Sequence, residues 1–116
     1  MAADGVDWHR RALAQPFDGR PVIDGRRCPA ASGETFDKHS PIDGRRLGAV
    51  ARGTSADVNA AVRAARAAFD DGRWAAQPPA ARKKVLQRFA EAVLAARDEL
   101  ALLDTLDMGK PIQYAL

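Results

Sequence analysis

The fold is decided by residues 79–111, which read PAARKKVLQRFAEAVLAARDELALLDTLDMGKP. Apolar side chains recur through this stretch in alternating steps of three and four residues, the spacing of one face of an α-helix. We call this set the Leu86–Leu103 stripe; it comprises Leu86, Phe89, Val93, Ala96, Leu100 and Leu103. Pro78 and Pro79 predict the helix start, and Gly109 with Pro111 predicts its end. The sequence therefore predicts one continuous helix of roughly 29 residues, about 43 Å long.

A second amphipathic helix is expected upstream, beginning at residue 54 and ending at Gly72. Thr54 and Asp57 have the spacing of a capping box, and glycine is a common helix stop. The expected packing face of this helix consists of Val58, Ala61, Val62, Ala65 and Phe69. Few of these side chains are large, so they can cover only part of the Leu86–Leu103 stripe. The remainder of the stripe is expected to pack on polypeptide that the chain lacks.

Residues 20–51 read as short strands separated by turns, and a short N-terminal helix precedes them. Asp24-Gly25 and Pro41-Ile42-Asp43-Gly44 are turn sequences. Extended segments are expected at 21–23, 35–40 and 47–51, and the helix at 4–13 with Asp4 as its N-cap. The predicted fold class is α+β, with two or three short N-terminal strands followed by two long antiparallel helices.

Composition limits the functions that the chain can have. Its 116 residues make one domain at most. The net charge of +3 is spread evenly, with 9 basic and 7 acidic residues in 1–54 and 9 and 8 in 55–116. Nucleic-acid binding usually needs a basic stripe, so it is not expected. The single cysteine allows no intramolecular disulfide. Neither a signal peptide nor a membrane-spanning run is visible. We therefore expect a soluble cytoplasmic protein without membrane contact.

Six segments in order resemble the aldehyde dehydrogenase superfamily. Leu103–Pro111 matches the family signature E-T-L-D-x-G-K-P, and 57–69 resembles its first long helix. The other four resemblances lie at 21–25 (F-I-N-G), 31–36, 40–44 (N-P-x-T-G) and 74–82. Asp7-Trp8 and Ser32–Phe36 are similar to the branch that acts on γ-glutamyl-aminobutyraldehyde and guanidinobutyraldehyde.

The resemblance implies that the chain is the N-terminal part of a larger α/β enzyme. Members of the family oxidise aldehydes to acids with NAD or NADP, using a cysteine nucleophile and a glutamate that activates water. Residues 20–116 would be the incomplete N-terminal part of the NAD(P)-binding domain, and residues 1–19 an N-terminal extension. By this comparison the chain contains neither catalytic residue nor cofactor site, so the fragment alone is expected to be inactive. Its partner would be the remainder of the subunit, in a cytoplasmic homo-oligomer (dimer or tetramer) of polyamine catabolism.

One potential site follows from the resemblance, a monovalent cation site for K⁺ or Na⁺. In many family members an aspartate matching Asp107 holds the ion together with main-chain carbonyls, here those of Lys38 and His39. Oxygen donors of this kind suit a hard cation. Alternatively, Asp107 is only a charge in the last helical turn, and its unfavourable position there is offset by a cation or by Lys110.

The other chemical side chains are expected to be structural. Cys28 lies in the β region and is followed by Pro29, away from the context of the family nucleophile. His9 and His39 have no companions at metal-ligand spacing, and Asp104 lacks a second functional group. A different class of function also remains open: a free-standing helical interaction module whose exposed stripe docks on a partner.

Overall fold

The strand region forms two antiparallel hairpins in the computed structural model, which describes residues 5–116. The elements in chain order are α1 (Trp8–Ala14), β1 (Val22–Ile23), β2 (Arg26–Arg27), β3 (Thr35–His39), β4 (Arg46–Ala51), α2 (Ser55–Asp70), α3 (Pro79–Ala95), α4 (Arg97–Met108) and α5 (Ile112–Ala115). Strands β1 and β2 pair through the predicted Asp24-Gly25 turn, where both residues have positive φ (51° and 73°). This is the backbone that a two-residue hairpin turn requires.

Strands β3 and β4 make the longer hairpin, with Thr35 opposite Ala51 and His39 opposite Arg46. The register shifts between Lys38 and His39, just before the predicted turn. Gly19 forms a parallel bridge to Val50, and a Cβ on Gly19 would lie 2.5 Å from the Ala49 carbonyl oxygen. Only glycine fits this close approach, which holds the segment after α1 against β4.

Helix α1 begins later than the sequence analysis expected. Its N-cap is Asp7, whose Oδ1 accepts the Arg10 N–H at 3.0 Å. The expected N-cap, Asp4, lies outside the described residues. Asp7 is three residues before Arg10, which is the spacing at which an N-cap side chain reaches a first-turn amide.

Helix α2 begins at the predicted capping box. The Asp57 carboxylate accepts the Thr54 N–H and the Thr54 hydroxyl, each at 2.8 Å. Its other oxygen accepts the Ala31 N–H at 2.8 Å. One carboxylate thus caps the helix and ties it to the loop between the two hairpins.

The packing face predicted for α2 is mostly wrong. Val58 and Val62 are each 60% exposed and Phe69 is 66% exposed. The half-buried positions are rotated round the helix towards its small side chains, namely Asp57, Ala60, Ala61, Ala64 and Ala68. The strand that α2 contacts is β1. Alanines allow the helix to lie close to this short strand, and the larger side chains face outwards.

The predicted 29-residue helix is interrupted. Ala96 has φ −95° and ψ 8°, so α3 ends at Ala95 and α4 begins at Arg97. Asp98 and Glu99 then lie in the first turn of α4, where negative charge is favoured by the helix dipole. Asp98 also accepts from Arg11 of α1 at 3.1 Å. Apolar spacing continues through Ala96 without a change, which is why it did not reveal the break.

The core lies on α4. Its buried side chains are Ala101, Leu102 and Leu106, and outside this helix Ala30 and Ser40 are also buried. Helix α1 lies along α4, joined by Arg11–Asp98 and by Gln15, whose amide is 3.4 Å from Glu99. Helix α4 is therefore the element around which the N-terminal segment is arranged.

Helix α3 and the outer face of α2 are uncovered, as the length of the apolar stripe predicted. Phe89 is 66% exposed, and Leu86 and Val93 are exposed as well. The accessible surface is 8780 Å², whereas a compact protein of 12.5 kDa exposes about 6,200 Å². The radius of gyration is 17.9 Å, against about 13 Å for a compact domain of this length. The chain is thus an open arrangement with roughly 2,600 Å² of surplus surface.

Among the helices described within residues 5–116, none combines the length and the apolar character needed to cross a bilayer.

We expect the isolated chain to behave as a partly molten or aggregating species, because its large apolar side chains are exposed. Binding of the dye ANS and thermal unfolding followed by circular dichroism measure this. Strong ANS fluorescence and a broad transition are expected. A monomer that melts sharply and binds no dye would contradict the expectation.

We also expect Asp57→Ala to lower the free energy of unfolding more than Thr54→Ala does. Both changes are made in the complete polypeptide, by which we mean the longer subunit that the family resemblance predicts. Thr54→Ala should cost about 1 kcal/mol, because it removes a helix cap. Asp57→Ala removes the capping carboxylate and also the hydrogen bond that the Ala31 N–H donates to it. Urea unfolding at neutral pH compares the two variants. Equal losses would show that the Ala31 bond adds nothing.

The effect of Asp57 should depend on pH. Donation by the Thr54 amide, the Thr54 hydroxyl and the Ala31 amide lowers the pKa of the Asp57 carboxyl. The stability that it contributes is therefore present above its unfolded pKa of about 3.9 and is lost as pH falls through the lower folded pKa. The difference in unfolding free energy between the unaltered protein and Asp57→Asn should be largest at neutral pH and should shrink in acid. A difference that grows in acid would contradict this.

Candidate functional site

The end of β3 meets the end of α4, and this contact brings Lys38 and Asp107 together. The Lys38 ammonium lies 2.8 Å from Asp107 Oδ1. The Lys38 side chain is only 29% exposed, whereas that of Asp107 is 57% exposed. Lys110, which the sequence analysis named as an alternative partner of Asp107, lies 3.6 Å from Asp104 instead.

Backbone geometry fixes this β3–α4 junction. Gly109 ends α4 in the left-handed conformation (φ 78°), and its N–H donates to the Thr105 carbonyl at 2.9 Å. A Cβ on Gly109 would lie 3.4 Å from Pro41 Cγ, so the helix end packs on the turn after β3. In that turn, the buried Ser40 accepts the Ile42 N–H at 3.2 Å.

The expected cation site stays a prediction. Its only side-chain donor, the Asp107 carboxylate, already carries the Lys38 ammonium. A K⁺ ion on the same carboxylate would lie next to this positive charge, and like charges at such a distance repel. Among residues 5–116, no group of three or more His, Cys, Asp or Glu side chains is placed to hold a metal ion.

The structure places the remaining candidates apart from one another. The half-buried Cys28 thiol lies 3.8 Å from the Pro21 carbonyl oxygen, its hydrogen-bond acceptor. His9 is on α1 and His39 pairs with Arg46 in the hairpin. No catalytic pair is formed by these side chains within the described part of the chain.

Apart from Asp57, the carboxyls with lowered pKa values are paired with arginines. Arg97 and Arg11 lower the pKa of Asp98, and the Arg20 side chain holds the pKa of Asp18 well below its ordinary value. Asp98 and Asp18 are each paired with a guanidinium group. They are therefore poor candidates for acid–base chemistry.

A cavity that no sequence pattern predicted lies between α1, the turn after β3 and α4. It measures about 510 Å³ and is lined mainly by apolar groups, among them Trp8, Ile42 and Leu106. Two lining polar atoms, Trp8 Nε1 and Thr105 Oγ1, are buried without a hydrogen-bond partner. In the sequence, only Trp8 could have indicated this cavity. Thr105 could not, because its neighbours are ordinary helix residues.

Relatives of the chain are found at high identity. The NADP/NAD-dependent aldehyde dehydrogenase PuuC of Escherichia coli (strain K12) is 42% identical over 109 residues, which are 94% of this chain and 22% of that protein. The chain thus spans about a fifth of the length of the curated relatives that it matches.

Solved structures share the fold. The γ-glutamyl-γ-aminobutyraldehyde dehydrogenase of Burkholderia cenocepacia is 53% identical, with a TM-score of 0.91 over 94% of this chain and 22% of that one. The indole-3-acetaldehyde dehydrogenase AldA of P. syringae, solved with NAD⁺ and IAA, is 50% identical, with a TM-score of 0.90 over 94% of this chain and 22% of that one.

These likenesses confirm the predicted α+β fragment of the aldehyde dehydrogenase fold and its similarity to the γ-glutamyl-aminobutyraldehyde branch. A model of the aldehyde dehydrogenase family matches residues 28–116, well over half of the chain. The chain therefore belongs to the aldehyde dehydrogenase family.

Proposed function

We propose that the chain is a scaffold for the cofactor domain of an NAD(P)-dependent aldehyde dehydrogenase. In this proposal, residues 20–116 are the N-terminal part of the NAD(P)-binding domain and residues 1–19 an extension. The uncovered apolar faces of α2 and α3 support it, because a domain that folds alone buries such faces. The surplus surface is the area that a layer of a larger subunit would expose if the remainder of that subunit were removed.

The chemistry of the parent would be oxidation of an aldehyde to a carboxylic acid, with reduction of NAD⁺ or NADP⁺. Amino- or guanidino-aldehydes are the proposed substrates, since relatives include the PuuC enzyme and an aminoacetaldehyde dehydrogenase of Pseudomonas aeruginosa. The setting proposed for the parent is polyamine catabolism in the cytoplasm, and its proposed state is a homo-oligomer, a dimer or a tetramer. The chain alone supplies no nucleophile, general base or cofactor site in this scheme.

The donor set proposed for K⁺ or Na⁺ is the Asp107 carboxylate with the main-chain carbonyls of Lys38 and His39. A cation there would brace the end of α4 against β3 and take no part in hydride transfer. In this chain it competes with the Lys38 ammonium.

A free-standing interaction module is the second candidate function. The same exposed side chains of α2 and α3 favour it, because a partner protein could cover them. The two candidates differ in what covers the surface: the same subunit in the first, and a different protein in the second.

A chimera tests the scaffold proposal. Residues 20–116 replace the matching segment of the E. coli PuuC enzyme, and NADH formation with an aminoaldehyde is measured. The chimera is expected to keep activity within about tenfold of the parent enzyme, because a packing layer influences catalysis only through position. A folded chimera without activity would overturn the scaffold proposal.

Paired variants of the chimera identify the covered face. Phe89→Ser should reduce soluble, active enzyme severely, since removing a large buried side chain costs about 3–5 kcal/mol. Arg88→Ser is the matched control, one residue away and about 100° round the helix. Equal losses in the two variants would favour the interaction-module reading.

Cys28→Ser in the complete polypeptide is expected to leave aldehyde oxidation unchanged. The thiol donates a hydrogen bond to a main-chain carbonyl, and a serine hydroxyl is also a hydrogen-bond donor. A steady-state assay combined with trapping of the acyl-enzyme measures the effect. Loss of the acyl-enzyme in this variant would make Cys28 the nucleophile and refute its structural role.

A further inference from the structure

A negative charge at Asp107 occupies an unfavourable position. The residue lies in the last turn of α4, where unpaired carbonyl groups already give the helix end a partial negative charge. No basic residue lies in that last turn. A positive charge that compensates it would therefore come from outside that turn.

Two lysines lie near the end of α4, and each is paired with a different carboxylate. Lys110 lies nearer Asp104 at 3.6 Å, and Lys38 pairs with Asp107 at 2.8 Å. Lys38 reaches Asp107 from β3, at the shift in strand register next to His39. Its side chain is the less exposed member of the pair, at 29% against 57% for Asp107.

We propose that the Lys38 ammonium is a built-in counter-ion, which takes the place of a monovalent cation at Asp107. The inference rests on the proposed cation donor set, and it changes the occupant of that set. An ammonium group is a compact point charge and can satisfy the same carboxylate. Because it is covalently attached to β3, it also joins the strand to the helix end without an ion from solution.

The consequence is a stability that does not depend on K⁺. Removing the ammonium leaves the Asp107 carboxylate and the carbonyls of Lys38 and His39 free to bind an ion. A K⁺ requirement should therefore appear only when Lys38 is replaced.

The test measures the melting temperature of the complete polypeptide in KCl and in choline chloride at equal ionic strength. The unaltered protein should melt at the same temperature in both salts. Lys38→Met should melt about 1–2 °C lower in choline chloride and recover in KCl. Lys38→Met combined with Asp107→Asn should show no recovery, and Lys110→Met should remain insensitive to the choice of salt.

Two results would overturn the proposal. The first is a K⁺-dependent melting temperature in the unaltered protein, and the second is the absence of K⁺ recovery in Lys38→Met. Lys38→Gln serves as a second variant if the methionine change prevents folding. Aldehyde oxidation is assayed in parallel, so loss of the proposed enzymatic function would be seen separately from the salt response.

Discussion

Burial of one face of α4 is the interaction on which the rest of the structure depends. Among residues 5–116, Leu102 and Leu106 are the large apolar side chains with the least exposure, at 2% and 8%. Helix α1 and the turn after β3 are arranged around this helix, through Arg11–Asp98 and the contact of Pro41 with Gly109. Since little else is buried, α2 and α3 extend from this centre with their larger side chains uncovered.

This distribution connects the sequence to the family assignment. Among the three longer helices the strongest apolar periodicity lies on α2, yet neither α2 nor α3 contains a buried residue. Burial of apolar surface is the main favourable contribution to folding, so a sequence that carries such faces indicates a covering layer. The fold shared with aldehyde dehydrogenases about four times as long is consistent with that indication.

Local features were predictable from sequence, and long-range ones were not. The Asp24-Gly25 hairpin and the Thr54–Asp57 capping box follow from short-range chemistry and were found where expected. The break at Ala96 was missed because alanine favours helices and the apolar steps continue across it. The Lys38–Asp107 pair joins residues 69 positions apart, and only the folded chain shows that β3 reaches the end of α4. The packing face of α2 was misjudged for a related reason: Val58 and Val62 have helical spacing, but the elements of this chain do not cover them.

Hydroxyl-radical footprinting of Phe69 and Phe89, in the isolated chain and in the complete polypeptide, tests the central claim most directly. If these faces are built to be covered by the remainder of the subunit, both rings will be oxidised readily in the isolated chain and strongly protected in the complete one. Equal oxidation of the two rings in both forms would contradict the account.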